Sequence, residues 1–236
     1  MKRALLVAAA TTLLSSQAFA AVDVAWTDWT SSSGLTTATG VISVGGKDVT
    51  VTWSGPRASF VQTSGGIDYW QNGRSGRDAS TSAFTSTSAV GNTNIPTDTD
   101  IVALWFGGTS TLTFSEAVSG LYFSYVSING NSYDFSEDFD ILSNSGSNID
   151  GNGADAGGYW GSASAVKVGT SLQSGGEAHG TIYFDSPLTT LTWTHRAENW
   201  NGFTVGIAGV ADEVPLPAAA LLFAPALGFL ARKRRS

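Results

Sequence analysis

Through residues 21–213 apolar and polar positions alternate with a period of two, and no stretch of about twelve residues carries the 3.6-residue period of an amphipathic helix. Val41-Ile42-Ser43-Val44, the pair Gly45-Gly46 and Val49-Thr50-Val51-Thr52-Trp53 predict a hairpin with Val49, Val51 and Trp53 on one face. Ile101 to Phe106 predicts a further strand, and Thr111 to Ser115 another with Leu112 and Phe114 inward. Leu121, Phe123 and Tyr125 share one face of the next. Asn129-Gly130 is a strong turn signal, predicting that this strand pairs with one from Tyr133 to Leu142. Gly180 to Phe184 places Ile182 and Phe184 inward. Leu191, Trp193 and His195 alternate on one strand and Phe203, Val205 and Ile207 on the last, with Asn201-Gly202 between the two.

Roughly ten to twelve short strands with no helices between them predict an all-β body, an antiparallel β-sandwich of jelly-roll type. Segments 71–100 and 143–163 are rich in Gly, Ser, Asn and Asp and lack periodicity. They read as long loops at the sandwich ends, where binding residues concentrate.

The two ends of the chain follow a different pattern. Lys2 and Arg3 precede an apolar stretch, Ala4 to Leu14, followed by Ala18-Phe19-Ala20. A charged start, an apolar run and a small-x-small site predict a secretory signal helix, residues 1–20, cut after Ala20 by signal peptidase. There is no twin-arginine pair, which favours export of an unfolded chain by the general machinery. At the other end, residues 214–236 hold Val214-Pro215-Leu216-Pro217-Ala218, an apolar run to Ala231, and the basic tip Arg232, Lys233, Arg234 and Arg235. At ~1.5 Å rise per residue the run from Ala218 spans about 21 Å, short of the ~30 Å hydrocarbon core. Pro225 removes a backbone donor in its middle and weakens the helix further. Such a short transmembrane helix suits transient insertion, with the basic tip in the cytoplasm and everything before Val214 outside.

The order of signature, apolar segment and arginine-rich tip resembles the PEP-CTERM class of bacterial sorting tails, in the variant whose signature is Val-Pro-Leu-Pro-Ala. The signature stands letter for letter at Val214 to Ala218. The resemblance implies recognition by an exosortase-type membrane enzyme, removal of the tail, and delivery to the cell surface or its polysaccharide matrix. The alternative for the same residues is a plain C-terminal transmembrane helix that anchors the protein permanently. The body, residues 21–213, carries a second likeness. Leu112 to Val118, Tyr133-Asp134-Phe135, Ile141-Leu142-Ser143, Glu177 to Ile182 and Glu198 to Ile207 look like the β-rich body of many exosortase-sorted proteins. That likeness implies no catalytic residues.

Composition sharpens the picture. The body holds Lys47, Arg57, Arg74, Arg77, Lys167 and Arg196 as its six basic residues against all 19 acidic ones, a balance of −13 where the whole chain carries −7. Such a body repels nucleic acid and anionic headgroups and suits cations and neutral glycans. The chain has no cysteine, so neither disulfides nor thiolate chemistry enter.

Candidate chemistry is thin. Asp134, Asp138 and Asp140 make a one-sided acidic row, read either as a calcium or catalytic site or as the solvated face opposite Phe135, Phe139 and Ile141. Asp150, Asn152 and Asp155, on a Gly-rich loop, can wrap calcium, although the spacing and terminal glutamate of an EF-hand are missing. Otherwise no cofactor is expected. His195 falls on an inward face as a core-edge histidine, and His179 reads as a turn residue. Paired carboxylates would suit a glycosidase, with Glu116, Glu137 and Glu198 as candidates. Trp70 beside Tyr69, and Trp160 beside Tyr159, lie in loops and could stack on sugar rings or cover the ends of the sandwich, whereas Trp53, Trp105 and Trp193 fit strand cores. The expected function is that of an exported, non-enzymatic surface or matrix protein, adhesive or associated with exopolysaccharide. A carbohydrate-binding module and a secreted glycosidase are the alternatives.

Overall fold

The period-two pattern is realised as strands, joined by turns, within residues 23–70, 83–84, 95–96, 99–145 and 163–210, which the computed structural model describes. Among these residues there is no helix, and 14 strands form one large antiparallel sheet. In chain order they are β1 Ala25–Trp26, β2 Asp28–Ser33, β3 Thr37–Val44, β4 Lys47–Ser54, β5 Ala58–Gln62, β6 Ile101–Leu104 and β7 Gly108–Ile128. There follow β8 Asn131–Phe135, β9 Asp140–Asn144, β10 Val166–Val168, β11 Ser171–Ser174, β12 Ala178–Phe184, β13 Leu188–His195 and β14 Asn201–Val210.

The sheet is organised by β7. Its first half runs between β4 and β13, with Leu112 opposite both Trp53 and Leu191. Its second half runs between β12 and β14, with Phe123 opposite both Ile182 and Val205. One wing therefore continues outward through β4, β3 and β2 on one side and β13, β8, β11 and β10 on the other. The second wing continues through β12 to β9 and through β14 to β6 and β5, with β1 added beside β14. The sequence predicts two strands where β7 runs as one of 21 residues. Its ladder to β13 is irregular between Thr113 and Val118, and Gly120 takes a left-handed φ of +64°.

The wings meet through aromatic side chains. Phe123 lies 5.4 Å from both Phe135 and Trp193 across the core, in edge-to-face contact. Trp29 and Trp53 meet Phe203 edge-on at 6.3 and 6.5 Å. Each such ring removes about 150–250 Å² from water, roughly 4–6 kcal/mol gross before entropy is subtracted. The second wing is also covered on its outer face. Tyr69, Trp70 and Phe84 pack over Ile101 and Val126, and Val24 and Trp26 over Tyr122 and Leu142. Two hydroxyls beneath this cover are paired: Ser124 Oγ with Thr181 Oγ1 at 2.8 Å, and Thr181 Oγ1 donates to the Phe84 carbonyl at 3.1 Å.

The hairpin at Gly45-Gly46 forms as expected. Both glycines hold positive φ, +59° and +79°, as a two-residue turn of the primed type demands. Val49, Val51 and Trp53 are buried. Asn129-Gly130 does not make the expected hairpin. β7 and β8 do not pair; β8 crosses to the first wing, between β11 and β13. Ser127 already leaves the extended region at φ +64°, and this redirects the chain before the turn is reached. The predicted strand from Tyr133 to Leu142 is in fact two, β8 and β9, in different wings. The predicted signal segment 1–20, the predicted sorting tail 214–236 and most of the predicted loops 71–100 and 143–163 lie outside the described residues.

Candidate functional site

The densest polar cluster forms where β7 hands over to β8. Ser127, turned by its left-handed backbone, receives His179 Nδ1 as acceptor of its N–H at 3.0 Å and donates its hydroxyl to Glu177 Oε2 at 2.7 Å. Asn129 serves two carboxylates at once. Its backbone N–H donates to Glu198 Oε1 and its side-chain amide to Glu177 Oε1, both at 2.9 Å. Glu198 Oε2 accepts from Asn131 at 3.0 Å and from Asn201 at 2.9 Å. Asn131 also donates to the Arg196 carbonyl at 3.1 Å, and the Tyr133 hydroxyl donates to Asn201 Oδ1. Burial pushes the Glu198 carboxyl up to about 7; the Asn131, Asn201 and Asn129 donors oppose that rise, and the neighbouring Glu177 adds to it. Burial raises Tyr133 well above the ordinary phenol value, and the Glu198 charge raises it further.

A carboxyl that titrates near neutrality can hold or release a proton under ordinary conditions. Here both oxygens are engaged by donors from three asparagines, so the group ties β7, β8 and the connection into β14 together. Of the glycosidase candidates, only Glu198 belongs to this network; Glu116 and Glu137 do not join it. The partner carboxylate is Glu177, which the sequence does not single out as acidic chemistry. The signal was its neighbourhood: amides cluster at Asn129-Gly130-Asn131 and at Glu198-Asn199-Trp200-Asn201.

His195 is buried at the core edge as expected, 6% exposed. Its Nε2 lies 3.2 Å from Ser110 Oγ and its Nδ1 3.4 Å from the Arg196 carbonyl. Burial lowers its pKa below the ordinary histidine value, against the Arg196 carbonyl, which raises it. Ser110 is itself buried, and a carbonyl, not a carboxylate, orients the ring. The pair is a packed polar contact, with no substrate access to the hydroxyl. His179 is not the turn residue its neighbours suggest. It sits inside β12, fully buried, where its N–H donates to Ser145 Oγ at 2.8 Å.

The acidic row is solvated as the alternation implies: Asp134, Asp138 and Asp140 are exposed while Phe135 and Phe139 are buried. Lys167 bridges to Asp138 at 2.8 Å and sits 5.2 Å from the Phe139 ring centre. That amine, first through its hydrogen bond, holds Asp138 below the usual carboxylate range. Among the described residues no group of three or more His, Asp or Glu side chains is placed to hold a metal. Asp150, Asn152, Asp155 and Trp160 lie outside them.

Two tryptophans stand in opposite environments. Trp70, read as a platform for sugar or as a cover for the sandwich end, is 2% exposed and packs edge-on against Phe84 while its indole N–H donates to the Asp100 carbonyl at 3.0 Å. The outer cover of the second wing consumes it. Trp105, expected in a strand core, is 47% exposed because β6 ends at Leu104. Its ring stacks on Phe106, 49% exposed, with centroids 5.5 Å apart and planes 23° from parallel. The Trp105 carbonyl accepts from Glu198 N–H at 3.1 Å, which fixes this aromatic turn to the carboxylate network. Beside the network lies a groove of about 550 Å³ lined by Asn131, Ser132, Val166, Gln173, Ser174 and Arg196 among others. No family model, curated protein or solved structure matches this chain.

Proposed function

We propose that this chain is an exported, non-enzymatic cell-surface or matrix protein, sorted by an exosortase-type enzyme and acting by contact with exopolysaccharide. The two wings joined by β7 are read as the layers of a jelly-roll-like sandwich. The observation that carries the contact reading is the fate of the chemically capable groups. Glu198 is bound by three asparagines and Ser110 is sealed against His195, while Trp105 and Phe106 stand half exposed. Supporting the address are the Ala18-Phe19-Ala20 site, the signature Val214 to Ala218 and the basic tip. Mass spectrometry of the mature C-terminus tests it. A chain ending between Val214 and Ala218 and recovered from the surface fraction is expected; an intact Ser236 in the inner membrane overturns the sorting reading.

A second reading, a secreted glycosidase, is favoured by one observation: Glu198 titrates at about 7 with Glu177 held to the same asparagine. Release of reducing sugar from cell-derived polysaccharide, abolished by Glu198→Gln, would establish it over the contact reading.

A further inference from the structure

We infer that the Trp105–Phe106 turn and the groove beside Arg196 form one binding surface for a neutral glycan chain. The inference rests on the contact reading above and assigns it a place. The turn and the groove share a backbone. A Cβ placed on Gly107 would lie 2.6 Å from Ala197 N and 2.9 Å from Arg196 C, so residues 105–107 lie directly against the segment whose Arg196 lines the groove. Glu198 N–H and the Trp105 carbonyl hold the two strands of that contact together at 3.1 Å.

The chemistry on the two sides is complementary to a sugar. A near-parallel indole and phenyl pair offers an apolar face to the C–H side of a pyranose ring. Because the two rings brace each other, little rotamer entropy is lost on stacking. The groove offers the Ser132 hydroxyl, the Gln173 amide and the Arg196 guanidinium, a donor-and-acceptor set suited to a polyol, along a wall made by Asn131 and Ser174, whose own side-chain groups are already paired within the protein. Its volume, about 550 Å³, falls within the roughly 300–1,000 Å³ typical of small-ligand sites. Asn131 cannot swing away, since its side chain is pinned by Glu198 and by both backbone groups of Arg196. The surface is thus pre-formed. Selection against acidic polymers comes from the body as a whole, which is strongly negative and repels them at long range, while the single lining cation, Arg196, donates to neutral hydroxyls at short range.

The test is titration of the full-length chain with cellohexaose, laminarihexaose and polygalacturonate, followed by calorimetry and by tryptophan fluorescence. At least one neutral hexaose is expected to bind and quench fluorescence, with polygalacturonate failing at the same concentration. Trp105→Ala with Phe106→Ala should weaken binding about tenfold or more, and Arg196→Ala several-fold, with thermal midpoints unchanged. Binding that survives the double substitution overturns the placement while leaving the contact reading intact. Failure of both neutral hexaoses overturns the ligand class, and the C-terminal mass measurement still judges the address separately. Preferential binding of polygalacturonate overturns the charge argument.

Discussion

The backbone N–H of Asn129 donates to Glu198 Oε1 at 2.9 Å across 69 residues of sequence. That bond fastens the crossing from one wing to the other to the connection that leads into the last strand. Glu198→Ala removes it together with both amide bonds from Asn131 and Asn201, which are buried and lose their acceptor. The expected cost is about 2–3 kcal/mol, read as a lower urea midpoint.

The same carboxyl gives a pH signature. Its folded value, about 7, lies above its ordinary 4.5. The stabilisation that follows is fully present below about pH 4.5 and is lost as pH rises through 7. His195 acts in the opposite sense, since burial depresses it: its contribution is present above the ordinary histidine value and is lost as pH falls through the folded value. Comparing urea midpoints of the wild type and Glu198→Gln at intervals from pH 4 to 8 isolates the first effect. The variant should lack the loss of stability on going from acid to neutral, and the gap between the two proteins should change across that window only.

Core and surface aromatics should separate cleanly. Phe123 touches Tyr133, Phe135, Trp193 and Phe203, so Phe123→Ala should cost about 3–5 kcal/mol. Trp105→Ala, at the exposed turn, should stay within about 0.5 kcal/mol. Equal losses in chemical denaturation would mean that Trp105 is a packing residue and not a surface one.

Gly206 faces β1 at close quarters. An added Cβ would lie 2.6 Å from Val24 Cγ1 and 2.8 Å from the Ala25 carbonyl. Gly206→Ala should therefore cost about 1–3 kcal/mol or displace β1, seen as faster proteolysis near Ala25.

Much of the strand pattern was readable because alternation reports a half-buried sheet. Val49, Val51 and Trp53 show it, with polar neighbours facing outward. The pattern misled where both faces are covered. In the second half of β7 every residue from Leu121 to Ile128 is buried, so period two no longer distinguishes inward from outward. Of the two readings of Trp70, a sugar platform or a cover for the sandwich end, the structure has the covering one: its loop lies on a strand face. Trp105 was misread, since Ile101 to Phe106 is apolar without a break and only the strand's end at Leu104 tells its last two residues apart. The Glu198 network is assembled from positions 127 to 131, 177 and 198 to 201, and pairings over that distance leave no local periodic trace. Its amides were visible as composition and its partners were not.

Ala25 stands in register with Ile207, the opening strand laid against the closing one. A ribosome delivers these two positions far apart in time. The β1 pairing must then wait until β14 has emerged, and this edge is completed by a late zipping of distant partners while local pairs such as β3 and β4 can form earlier. Such timing leaves the flank of the last strand open until its partner arrives from the far side of the fold.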